Sequence, residues 1–156
     1  IQPIILNKAV ISSDVVIGAL RAQNGRSACV ISEETVSKMK PNSVVIDVSI
    51  DQGGNFETSE VTSHDKPVFR KFDVIHYCVP NIASRVARTA TYAMSNIFTS
   101  ILLDFAELGG LKNAIWKNPG IRSSIYLYQG NLTNADMASR FNMTAKDLDL
   151  LVVSSL

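Results

Sequence analysis

Two carboxylates, paired glycines and a carboxamide stand together in Asp51-Gln52-Gly53-Gly54-Asn55-Phe56-Glu57, at the end of an apolar, β-branched run, Ser43–Ile50. In an open parallel sheet, ligands bind just beyond the carboxyl ends of the strands. Asp51 therefore stands where a general acid/base or a hydrogen-bond acceptor works. The same residues also read as a tight post-strand turn with a solvated Asp. Gly53-Gly54 permits a sharp turn and close approach of a ligand, because neither residue carries a Cβ. A second cluster, Cys78-Val79-Pro80-Asn81-Ile82, ends another apolar run. One Asn side chain both donates and accepts, as a reader of carboxamides must. Asn81 also reads as a cap for the helix that follows. A third run ends in Gly18-Ala19-Leu20-Arg21, so three strand ends converge on one rim.

The remaining reactive side chains offer less. His64 lies in the polar stretch Thr62-Ser63-His64-Asp65-Lys66 and reads as solvated, whereas His76 lies inside a strand and reads as a core histidine. Cys29 and Cys78, the two cysteines, are too far apart for a disulfide framework and read as reduced thiols. No spacing of His, Cys and carboxylates predicts a metal site. No Ser/His/Asp or Cys/His arrangement is legible either.

The elements that must position these groups follow from periodicity. Asp14–Leu20, Ser43–Ile50 and Asp73–Val79 are short, nearly continuous apolar runs, the pattern of strands buried on both faces of a parallel sheet. Between the first two, Ser32 is a good N-cap for a short helix ending at Lys40, before Pro41, which predicts a βαβ crossover. A long helix is predicted from Ser84 to Leu108, closed by Gly109-Gly110. Its apolar positions Val86, Ala90, Ala93, Ile97, Ile101 and Phe105 recur at helical spacing. Further on, Leu111–Lys117 reads as a short helix and Ser124–Leu132 as a hairpin turning near Gln129-Gly130-Asn131. Asn134–Phe141 and Thr144–Leu151 read as two more short helices. The predicted class is α/β, with a parallel sheet at the front over residues 1–83. A mainly helical C-terminal segment follows over 84–156.

Composition narrows the function. Hydrophobic residues at 46% with charged residues at 19% exclude a disordered chain. A formal charge of +1 without a basic stripe gives nucleic acid no foothold. No apolar stretch approaches the roughly 20 residues of a membrane span. No N-terminal signal pattern is present, so a cytoplasmic location is expected. The first residue is Ile1 rather than Met, which predicts a piece of a longer polypeptide. Gly18 and Gly25 do not form the Gly-rich phosphate turn of a dinucleotide-binding fold, and no acidic ribose anchor is assignable.

Several stretches together resemble the alanine dehydrogenase family: Asp14–Ala19, Met39–Gly54 and His76–Asn81 followed by Arg88-Thr89. The Asp-Gln-Gly-Gly signature is specific, and the resemblance runs from about Ser13 to at least Leu108. The family's signature normally closes with Cys where this chain has Asn55. The related proton-translocating transhydrogenases often have Asn there, but typically Glu in place of Asp51.

The resemblance implies that residues 1–83 are the second half of a Rossmann-type parallel sheet domain and that the mainly helical segment 84–156 returns into the substrate domain. It also implies NAD as cofactor and reversible oxidative deamination of L-alanine to pyruvate and ammonia. It implies that Asp51 manages protons around the imine and carbinolamine, and that Asn81 holds the nicotinamide or ribose side of the cofactor. Leu20, Arg21, Val48, Ser49, Ile50, Val79, Pro80 and Ile82 would line the cofactor cleft, mainly through their backbone, with Asp51 beside them. A subunit piece of a transhydrogenase, or a non-catalytic fragment, is the alternative. An exposed sheet edge near Val15–Leu20 and the stripe on the long helix predict a homo-oligomer.

Overall fold

A computed structural model describes residues 2–21 and 26–154; Ile1 and Gly25, which entered the sequence reading, lie outside the described residues. The chain divides into two compact units, Ile1–Arg85 and Val86–Leu156.

The first unit opens with α1 (Pro3–Ser12), which has Pro in its first turn. Pro suits that position because the N–H it lacks would be unpaired there. Strand β1 (Val15–Gly18) leads to α2 (Glu33–Ser37), which returns the chain to β2 (Val44–Asp47). Ser32 caps α2 by accepting from the Thr35 N–H at 3.3 Å, as its residue type predicts. After a 3₁₀ turn (Ile50–Gln52), β3 (Val68–Lys71) and β4 (Val74–Tyr77) complete a four-stranded sheet of order β1-β2-β4-β3. β1, β2 and β4 run parallel, and β3 pairs antiparallel with β4 on the outer edge. The predicted βαβ crossover is present.

Two expectations need correction. The strands are not buried on both faces: β2 and β4 alternate buried with half-buried residues, and in β1 only Gly18 is buried. Helices α1 and α2 contribute Val10 and Val36 to the core, where they pack with Ile31, Met39, Val45, Phe56 and Val74. Strand β3 is an element the apolar runs did not reveal. Its two-residue connection to β4, Phe72-Asp73, has both residues at positive φ (55° and 58°), the geometry that matches hairpin twist. Neither residue is the Gly or Asn that usually announces such a turn.

Gly18 is required by close packing. A Cβ there would lie 2.5 Å from Cε2 of Phe56, well inside contact distance, so the ring that seals the core needs a glycine at the end of β1.

The second unit consists of α3 (Ala87–Glu107), α4 (Leu111–Lys117), α5 (Pro119–Ser123), a small hairpin, β5 (Leu127–Tyr128) with β6 (Asn131–Leu132), α6 (Ala135–Arg140) and α7 (Leu148–Ser154). Its core is small: Ile115, Tyr128 and Val152, ringed by Ile121, Ile125, Leu148 and Leu151. The long helix forms as predicted, yet none of its residues is buried. The last helix starts later than its apolar pattern suggested, because the Asp147 carboxylate accepts from the N–H groups of Asp149 and Leu150 and sets its first turn. Among the described residues, no helix is long and apolar enough to cross a membrane.

Candidate functional site

Because β1, β2 and β4 are parallel, their carboxyl ends open on the same edge of the sheet, and the segments Ala19–Arg21, Val48–Gly54 and Cys78–Ile82 leave from it. The sheet pairing continues briefly beyond the strands, with the Val48 N–H donating to Gly18 O at 2.8 Å. Asp51 does not follow the strand directly. It sits in the 3₁₀ turn, which closes at Gly53 in the left-handed region.

A buried lock holds this rim, and the sequence reading had not identified it. The Asp47 carboxylate, at the last position of β2 and 2% exposed, accepts three hydrogen bonds. They come from Ser49 N–H at 3.0 Å, Asn55 N–H at 2.7 Å and Ser59 Oγ at 2.6 Å. Asn55, equally buried, continues the network. Its Oδ1 accepts from Leu20 N–H at 2.9 Å, and its Nδ2 donates to Leu20 O and Ala28 O, both at 3.1 Å. One carboxamide thus pairs with both backbone groups of Leu20, as a neighbouring strand would. Ser49 and Ser27 hydroxyls also donate to Leu20 O. The exits of β1 and β2 are therefore tied together by groups that have no better partners.

This lock changes the meaning of the paired glycines. Gly54 has φ +79°, and a Cβ on it would lie 2.7 Å from Asp47 Oδ2; at Gly53, φ +106°, it would lie 3.1 Å from Arg26 Nε. Both glycines make room for the protein's own side chains.

Asp51 bridges to the third exit. Its carboxylate is exposed, and the Asn81 N–H donates to both oxygens, at 3.0 and 3.2 Å. Asn81 itself lies in the left-handed region at φ 54°, which Asn tolerates better than most residues. It is not the cap of the long helix: α3 starts after Val86 with no side-chain cap, and the Asn81 carboxamide is exposed at the rim. The structure thus brings together Leu20, Arg21, Val48, Asp51 and Asn81 as exposed residues, with Ser49, Pro80 and Ile82 half-buried beside them. Ile50 and Val79 are buried.

His76 is a core histidine as predicted. Its ring stacks on Phe69 with centroids 4.8 Å apart, and Nδ1 lies 3.1 Å from Val74 O. A carbonyl only accepts, so Nδ1 carries the proton and Nε2 accepts from the Thr58 hydroxyl at 2.9 Å. Burial pushes its pKa below the ordinary 6.5. The unfolded chain therefore binds the proton first as pH falls, so stability is full above about pH 6.5 and declines below it. The loss is at most about 1.4 kcal/mol per pH unit. Urea titrations at about pH 7 and about pH 5.5 should show a steeper loss for the wild type than for His76→Gln; equal losses would exclude His76 as the titrating group.

Burial also raises the Cys78 thiol, which keeps it protonated and a poor nucleophile. Cys29 is exposed, and its thiol is raised as well, through desolvation first and Glu57 next. Among the described residues, no group of His, Cys, Asp and Glu could hold a metal ion.

An open sheet with parallel strands, a βαβ crossover and polar groups gathered at the strand exits defines a Rossmann-type α/β protein. The match to "Alanine dehydrogenase/PNT, C-terminal domain" extends over residues 2–135, and the chain belongs to that family. It is 39% identical over 137 residues to an alanine dehydrogenase of Methanococcus maripaludis, covering 87% of this chain and 36% of the relative. With an alanine dehydrogenase of Lysinibacillus sphaericus it shares 35% identity over 152 residues, 97% of this chain and 41% of the relative. A solved L-alanine dehydrogenase superimposes with a TM-score of 0.77 at 30% identity, over 91% of this chain and 39% of that one. The fold also matches a transhydrogenase from Sinorhizobium meliloti, TM-score 0.59 at 24% identity, over 65% of this chain and 30% of that one. The chain thus spans about two fifths of the curated relatives it matches. Family and fold imply a nicotinamide cofactor.

Proposed function

We propose that the intact protein is an NAD-dependent alanine dehydrogenase. In this reading, residues 1–83 form the second half of its NAD-binding domain, and 84–156 carry the long helix and the chain's return into the substrate domain. The observation that carries the reading is the junction of Asp51 with Asn81 N–H. It ties an exposed carboxylate to the backbone of Asn81, itself an exposed residue, at the carboxyl rim of a parallel sheet.

The residues present fit one end of such a cofactor. Leu20 and Val48 expose apolar surface at the rim, 42% and 39%, against which a flat ring can rest. The Asn81 carboxamide complements a nicotinamide amide or a ribose hydroxyl. Arg21, Ser49, Ile50, Val79, Pro80 and Ile82 complete the lining, with Ile50 and Val79 acting through their backbone. When bound, NAD supplies the hydride acceptor. Asp51 takes up and returns protons as water adds to the substrate imine and the carbinolamine collapses to pyruvate and ammonia. The Asn81 N–H keeps that carboxylate aimed across the rim. The free thiols Cys29 and Cys78 support a reducing, cytoplasmic setting.

The test is L-alanine-dependent formation of NADH by the intact protein. A transhydrogenase, the reading that Asn55 favours, would instead need a second nicotinamide nucleotide and no alanine.

Residues 1–156 alone contain no Gly-x-Gly-x-x-Gly turn, the device that supplies much of pyrophosphate binding. By itself this chain should bind NAD more weakly than about 1 mM, a loss of several kcal/mol against micromolar affinity. It should also self-associate, because β1 is an edge strand with Val15 and Ile17 exposed, and an unpaired edge templates another strand. Calorimetry and light scattering on one sample check both. Micromolar NAD affinity, or a monodisperse monomer, would contradict the corresponding half of this expectation.

A further inference from the structure

His64, which its polar surroundings marked as solvated, is exposed but engaged: its Nε2 is hydrogen-bonded to Ser84 Oγ at 2.7 Å. The loop that carries it is strapped along the exit of β4. Thr62 N–H donates to Cys78 O at 3.0 Å, just before the rim segment. Arg85 Nη2 donates to His64 O at 3.3 Å, just after it. Thr62 Oγ1 bonds to Pro67 O, and Lys66 N–H to Ser63 Oγ, so the loop has its own internal ties.

Ser84 passes this anchoring on. Its N–H donates to Asn81 O at 2.9 Å, and the Asn81 N–H in turn donates to the Asp51 carboxylate. An unbroken series of hydrogen bonds therefore runs from the imidazole of His64 through Ser84 and Asn81 to Asp51. Asn81 sits at its centre in a left-handed conformation, which needs support from its surroundings to persist. Asp51 supports it on one side and Ser84 on the other.

We propose that His64 is a positioning residue of the cofactor site, acting through Ser84 on Asn81 and Asp51; this rests on the nicotinamide reading of the rim. An exposed hydrogen bond contributes little to global stability. It does set where a short segment rests, and small misplacements of binding groups cost affinity.

The test is an NADH fluorescence titration of the intact protein. His64→Ala and Ser84→Ala should each raise the Kd about threefold to tenfold, the range of one lost hydrogen bond. The double variant should lose no more than either single one, because both remove the same contact. His64→Gln, which places a polar atom at similar reach, should recover most of the affinity. Melting temperatures should stay within about 2 °C, since the pair is exposed. Unchanged Kd values in the single variants, multiplied losses in the double variant, a Gln variant as weak as Ala, or losses that track melting temperature would each overturn the proposal. A wild-type protein that binds NADH but does not oxidise alanine would overturn the substrate reading alone, and the same Kd series would still decide the role of His64. A wild-type protein that binds no NADH would overturn both.

Discussion

Asp51→Asn in the intact protein should lower kcat for alanine oxidation by about 100-fold or more, the scale of a positioned acid/base group. The substitution separates the clamp on Asn81 from the proton transfer proposed for the same carboxylate. An Asn oxygen still accepts the Asn81 N–H that the carboxylate accepts now, at 3.0 and 3.2 Å, so the rim keeps its shape. What the amide cannot do is take up and return a proton. The KM for NAD should therefore stay within about threefold while kcat falls, the pattern of an interaction made only in the transition state. A variant with near-normal kcat would remove Asp51 from the proton chemistry and leave it a loop clamp.

Asp47→Ala should cost at least about 3 kcal/mol in unfolding free energy, measured by urea denaturation of any form of the protein that contains the first unit. Three donors, Ser49 N–H, Asn55 N–H and Ser59 Oγ, lose the acceptor that a buried carboxylate gave them. Leaving a buried donor unpaired costs more than its bond contributed. The effect should extend to Asn55, whose carboxamide organises both backbone groups of Leu20. Rim order and stability are thus expected to fall together. A loss under about 1 kcal/mol would mean that water or a local shift replaces the carboxylate.

Much of this molecule was legible from residue types alone. Continuous β-branched runs located β1, β2 and β4, because a strand that packs into a sheet needs stiff apolar side chains, and Ser32 marked the start of α2 through an N-cap that acts over three residues. The Asp-Gln-Gly-Gly stretch and Asn81 pointed to the rim, because ligand chemistry at a strand exit leaves its polar residues adjacent in sequence. These are signals with short reach.

What the sequence could not disclose depends on contacts between distant segments. β3 was hidden because its turn uses Phe72-Asp73 at positive φ instead of a glycine or asparagine signal, a conformation that only the finished hairpin sustains. The pairing of the Asn55 carboxamide with Leu20, 35 positions away, exists only once β1 and β2 lie side by side. The same holds for the Asp51 clamp on Asn81 and the His64 bond to Ser84, 30 and 20 positions apart. The sequence by itself determined which side chains were available for chemistry and which runs would pair. Tertiary structure decided which of those side chains hold one another, because a hydrogen bond needs its partners within about 3 Å, and only the folded sheet delivers them there.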